Sequence, residues 1–208
     1  PGGDARLQQL GGAGGGGGES GFLLTPEYDF VRGVFESGYR GVAGNPVHTR
    51  AVFHRPGRYW LVLDRVDTDR PRDITALWHF HPECTVERDG RDLATTDAGK
   101  GNLRVIPFGR AWDVELVRGR TEPDIQGWYS RKYNSKTPAT AAVCHTTLDG
   151  NATFGWLLLP AVGPPPAATA AIEEAGPDAA LVSVRLPGGE TERWRLPLAA
   201  DTLQPGKR

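Results

Sequence analysis

His48, Asp64 and His79 are sixteen and fifteen residues apart, a spacing that suits a metal site. Each lies on its own strand-like segment, at 47–53, 59–66 and 74–81. The segments are rich in β-branched or aromatic residues. Turn signals separate them, Arg55-Pro56-Gly57-Arg58 and then Asp67-Thr68-Asp69-Arg70-Pro71. A hairpin turning about Pro56 sets His48 opposite Asp64, and one turning about the Pro71–Arg72 bond sets Asp64 opposite His79. Directly opposed side chains on one sheet face have Cβ atoms about 4.5–5.5 Å apart. Two imidazoles and a carboxylate in one row would form a three-ligand zinc site with a fourth position for water. The row depends on register, because a slip of one residue sends a whole strand's side chains to the other face. The alternative is three unrelated polar residues on a solvated face. Asp64 follows Trp60-Leu61-Val62-Leu63, where a carboxylate is costly unless it is paired or bound to a cation.

The elements that must position these residues are strands. With 208 residues and a formal net charge of −1, the chain fits one domain, or one and a fraction, with a real core. Mixed charge of this kind leaves no electrostatic footprint for nucleic acid. No apolar run approaches the length of a membrane span. The chain has no methionine and begins at Pro1, which reads as a piece of something longer, so it says nothing about a signal peptide. Cys84 and Cys144 lie outside any paired motif and are expected to be buried free thiols.

Residues 1–20 contain a glycine run from Gly11 to Gly18 and read as a disordered linker or loop. A phosphate-binding loop is excluded, since no strand precedes the glycines and no Lys-Ser/Thr follows. Residues 21–160 read as the main domain. Strands are expected at 47–54, 59–66, 73–81, 83–88, 102–107, 112–118, 139–148 and 153–159, with a short helical turn around 26–31. Short, evenly spaced strands predict an all-β fold, an antiparallel β-sandwich of stacked sheets with few or no helices. Residues 161–178, rich in Pro and Ala, read as a loop or linker. Residues 179–208 read as a terminal β-hairpin about Pro187-Gly188-Gly189-Glu190, with a tail.

The order of several patches resembles the C-terminal β-sheet module of the heparinase II/III-like polysaccharide lyases. The patches are Val47-His48-Thr49-Arg50, the apolar strand ending in Asp64-Arg65, and Trp78-His79-Phe80-His81-Pro82. Gly127-Trp128-Tyr129-Ser130 before Pro138-Ala139, and Leu157-Leu158-Leu159-Pro160, extend the resemblance over about residues 20–160. It implies a two-part enzyme, an N-terminal α/α toroid followed by stacked β-sheets, of which this chain holds much of the β part and none of the toroid. It also implies a structural zinc ion held by His48, Asp64 and His79, an acidic polysaccharide substrate, and a secreted or periplasmic place in a bacterial cell envelope. The family often carries a further His or Tyr between the Asp and the last His. This chain has Arg72, Asp73 and Thr75 there, so His81 is the replacement or the alternative metal ligand.

Uronate lyases cleave by β-elimination. They neutralise a carboxylate, remove the C5 proton and protonate the leaving oxygen, tasks that suit Arg, His and Tyr. His81 and Tyr129 are the expected proton-handling residues, and Arg50, Trp128 and Arg131 the expected substrate contacts. Each has a plainer alternative. Arg50 pairs with an Asp, Tyr129 and Tyr133 pack, and Arg131, Lys132 and Lys136 form a solvated loop. Trp60, Trp78, Trp112 and Trp156 read as core, His54 as solvated near its turn, and His145 as a satisfied sheet histidine. Two rival functions remain: a non-catalytic carbohydrate-binding or structural sandwich, and a cupin-like metal enzyme suggested by His79-x-His81. The cupin lacks its Glu and later His at the needed spacing. The isolated chain, without the toroid, is expected to be inactive.

Overall fold

The structure, a computed structural model, describes residues 6–10, 20–199 and 204–207. The glycine run lies outside these residues. Among the described residues every regular element is a strand. In chain order they are β1 (Arg6–Leu10), β2 (Ser20–Leu24), β3 (Asp29–Phe35), β4 (Val47–Arg55), β5 (Tyr59–Asp67), β6 (Arg72–His79), β7 (Val86–Asp89), β8 (Asp92–Thr95), β9 (Gly101–Phe108), β10 (Asp113–Arg118), β11 (Trp128–Tyr129), β12 (Thr137–Pro138), β13 (Thr140–Leu148), β14 (Ala152–Val162), β15 (Thr169–Ala175), β16 (Ala179–Arg185), β17 (Thr191–Pro197) and β18 (Gly206–Lys207).

The strands stack in three layers. The central layer is a nine-stranded sheet in the order β1-β2-β3-β4-β5-β14-β9-β8-β7. A three-stranded sheet, β10-β13-β6, covers part of one face, and a four-stranded sheet, β15-β16-β17-β18, covers the other. A central strand buried on both faces should be apolar throughout, not alternating. β5 has this character. Its Leu61 and Leu63 pack toward the four-stranded sheet with Trp194, Leu196 and Val182. Its Val62 and Val66 point the other way, toward Trp156 and Leu148 respectively. Trp156 and Trp194 are both buried, one in each core, while Trp60, Trp78 and Trp112 are half-buried. Cys144 is a buried free thiol in β13, its pKa pushed up to about 11 by burial; Cys84 is a free, half-buried thiol.

A polar clamp pins the central sheet to the four-stranded one. The buried carboxylate of Glu192 accepts hydrogen bonds from Tyr59, Trp194 (3.3 Å), Arg55 (3.3 Å) and Arg58 (2.7 Å). Burial pushes this carboxylate up, but the donors around it outweigh burial and hold it below the ordinary range.

Three stretches differ from the sequence expectation. The helical turn expected around 26–31 is a β-turn: the Thr25 hydroxyl caps Tyr28 N at 2.9 Å, and β3 begins at Asp29. The stretch read as a loop carries β15, whose Ala170 and Ile172 pack into the core despite the poor strand propensity of alanine. Arg6–Leu10, within the stretch read as a linker, pairs with β2. The terminal hairpin forms as β16–β17, extended by β15 and β18 into a sheet.

Candidate functional site

The register of the β4–β5 hairpin decides the site. Arg55 accepts from Arg58 N at 3.0 Å across Pro56-Gly57, and Gly57 has φ 72°, the backbone a type II turn needs at its third residue. The loop therefore centres on Gly57, not Pro56. Arg50 pairs directly with Asp64, and His48 pairs with Val66, one diagonal step away. The shift is even, so His48 stays on Asp64's face. The His48 ring still reaches it, with Nε2 2.8 Å from Asp64 Oδ1.

Asp64 is buried at the centre of this group, its side chain 1% exposed, while the Arg50 side chain is 51% exposed. Arg50 grips the carboxylate with two bonds, Nε to Oδ1 at 2.7 Å and Nη2 to Oδ2 at 3.1 Å. Burial pushes Asp64 up, yet the hydrogen bonds and charges of His48 and Arg50 prevail and hold it below the ordinary carboxylate range. A hydrogen bond from the His48 ring to the Asp64 carboxylate requires the proton on Nε2, since a carboxylate only accepts. The Tyr39 hydroxyl lies 3.2 Å from Nδ1. Burial and the nearby Asp64 charge both push the Tyr39 phenol up.

These residues line a cleft of about 310 Å³. Its floor is the part of β4 and β5 that the three-stranded sheet leaves uncovered, with Val66 and Phe154 at the base. One wall is β6, the edge strand of the three-stranded sheet, contributing Arg72, Asp73 and Thr75. The other wall is the β3–β4 connection, carrying Tyr39 and Val42. Arg72 fastens that connection, donating from Nη2 to Ala43 O at 2.7 Å and to Asp69 at 2.9 Å. Gly44 allows the approach: its φ is 78°, and a Cβ there would lie 2.8 Å from the Asp69 carboxylate.

His79 does not join His48 and Asp64. The expectation placed β6 beside β5, but β5 pairs with β4 and β14, and β6 crosses into the three-stranded sheet beside β13. His79 is exposed on the outward face of β6, its Nε2 3.1 Å from Gln126 Oε1. Among the described residues no three His, Cys, Asp or Glu side chains are grouped to hold a metal ion. The residues present therefore do not fit the zinc site the sequence suggested.

The other expected site residues gather elsewhere, at the far end of β6. The His81 and Tyr129 rings meet edge to face with centroids 5.4 Å apart. Trp128 donates from Nε1 to Arg120 O at 2.9 Å, and the Lys136 ammonium sits 4.1 Å over its ring, so one face is already covered. Arg131 and Tyr133 are exposed on the adjoining loop. His79 is four residues along the strand from Thr75, about 13 Å at ~3.3 Å per residue, so the two groups are distinct. His54 is less solvated than expected: it stacks on Trp60 at 4.4 Å and bonds Asp29 at 3.0 Å. His145 bonds Thr75 at 3.0 Å, as a satisfied sheet histidine would. Tyr39 was missed. A single tyrosine among Ser37, Gly38 and Gly41 gives no periodic or motif signal, and only its contact with His48 marks it.

Similar architectures occur in solved lyases. Heparinase III matches with a TM-score of 0.64 at 17% identity, over 90% of this chain and 26% of its own. The heparan sulfate lyase HepC from Pedobacter heparinus matches with a TM-score of 0.62 at 16% identity, over 95% of this chain and 29% of its own. The chain thus spans less than a third of either protein. No curated protein matches the sequence. The family model described as heparinase II/III-like, C-terminal, matches residues 25–157, which include the strands around the cleft and most of the central sheet, and by that match the chain belongs to the heparinase II/III-like family as its C-terminal β-sheet module.

Proposed function

We propose that this chain is the β-sheet part of a polysaccharide lyase that cleaves a uronic-acid-containing glycan by β-elimination, and that it supplies one wall of the substrate cleft. The observation that carries the reading is the cleft in which Tyr39, His48, Asp64 and Arg50 form one hydrogen-bonded chain. Elimination needs a cation beside the sugar carboxylate and a hydroxyl or imidazole at the moving protons. Arg50 holds Asp64 through Nε and Nη2, which leaves Nη1 for an acidic sugar. Asp64 and Arg50 orient His48, and His48 orients Tyr39 as a proton carrier facing the cleft. His81, Tyr129, Trp128 and Arg131 form a second contact surface, further along the same glycan. The α/α toroid is the missing partner that completes the active site, and a glycan substrate of this kind sets the enzyme outside the cell or in the periplasm.

Titrating the 208-residue chain with labelled oligosaccharides tests this. Heparan sulfate or another uronate oligomer should bind in a salt-sensitive manner, and Arg50→Ala should weaken it by about tenfold, the worth of one charge-assisted contact. Equal binding of a neutral oligosaccharide would favour a general carbohydrate-binding sandwich. No binding of any uronate glycan would overturn the proposal.

A further inference from the structure

We propose that the Arg50 guanidinium takes the place of a metal ion at Asp64, so that this chain's cleft is built to work without zinc. The inference stands apart from the lyase reading, because it concerns what neutralises Asp64 and is tested by metal content, not by glycan binding.

A buried carboxylate needs a counter-charge. In this fold that need is met twice over from β4. Arg50, directly across from Asp64, covers both carboxylate oxygens, and His48 covers Oδ1 again from the diagonal position. A carboxylate offers about four lone-pair sites; three are taken by these donors. An arginine fork is always charged and planar, so it fills the place of a cation without needing a third protein ligand. Zinc would need three or four ligands in a shell, and among the described residues no third His, Cys, Asp or Glu joins His48 and Asp64. His79 is on the outward face of another sheet, and Asp73, the other acidic group lining the cleft, accepts from the Thr147 hydroxyl at 2.7 Å. His48 has both ring nitrogens engaged, one by Asp64 and one by Tyr39. A divalent ion beside Asp64 would also face the guanidinium at close range and be repelled by it.

The position of Arg50 makes the proposal reversible by a single change. It is two residues before Val52 and two after His48, on one face of β4. Arg50→His sets two imidazoles side by side across from a carboxylate, the three-ligand set that the native chain lacks.

The 208-residue chain is incubated with zinc, desalted and measured for metal by elemental analysis, beside Arg50→His, with circular dichroism to establish that the variant is folded. The native chain should hold only trace zinc, and a chelator should leave its Tm unchanged. The variant should take up about one zinc per chain and lose Tm when chelated, because metal binding adds to folding free energy. One zinc per native chain, with a Tm that falls on chelation, would overturn the proposal whatever the variant does. A folded Arg50→His chain that stays metal-free would also overturn it, since some feature other than Arg50 would then exclude the ion. If the variant does not fold, the native measurement decides alone.

Discussion

At the scale of residues, the chemistry centres on a carboxylate whose pKa burial pushes up and two donors hold down. The sequence already pointed to this tension at Asp64, an acid directly after four apolar residues, and named Arg50 as a partner for an Asp. It could not show that Arg50, not His79, answers it, because that depends on which strand lies alongside β5. The pH dependence follows from the direction of the shift. Asp64's folded pKa lies below its unfolded value, so its stabilisation is full above about pH 4 and is lost as pH falls through the folded pKa. Thermal melts from pH 7 downward should show native stability declining below about pH 4, whereas Asp64→Asn should decline less steeply. At neutral pH the variant should be less stable by about 2 kcal/mol, since Arg50 and His48 lose their anion while half-exposed Arg50 regains water. An unchanged acid slope would mean that Asp64 is not ionised in the folded chain.

At the scale of elements, two turns set the site. The β4–β5 turn fixes the register, and its Arg-Pro-Gly-Arg sequence was read as a turn correctly but centred one residue early. Turn type is a local property, and Pro at the second position with Gly at the third selects type II. The exact pairing also depends on how far the strands continue, which packing decides. The β3–β4 connection is held by Arg72 and by the close approach at Gly44. Gly44→Ala puts a side chain at positive φ and against the Asp69 carboxylate. We expect a loss of about 1–2 kcal/mol, with faster amide hydrogen exchange over residues 36–46 and little change in the buried strands. Exchange that stays slow there would show that the connection is held by other contacts.

At the scale of the whole molecule, the central sheet must be covered on both faces. The family model ends at residue 157, but the core beneath Leu61, Leu63, Phe53 and Leu157 is closed by β15 to β17 through Ala170, Val182, Val184, Trp194 and Leu196. A chain ending at residue 165 would expose that surface and leave Tyr59, Arg55 and Arg58 without Glu192. We expect it to aggregate or to bind a hydrophobic dye, with no cooperative melt; a soluble monomer melting like the full chain would show the terminal sheet to be dispensable. The all-β class, the antiparallel pairing and most strand positions were legible in the sequence, because alternation, β-branched runs and Gly/Pro turns are local signals. So was the side-chain contact of His48 with Asp64, which needs only one hairpin and the correct parity, although Arg50, not His48, is directly opposite Asp64. Tertiary structure alone decided that β6 leaves β5 for another sheet, that His79 goes with it, and that Tyr39 arrives in its place. The reason is physical: strand order is set by which apolar faces find cover, a nonlocal sum over the core, and no spacing along the chain encodes it.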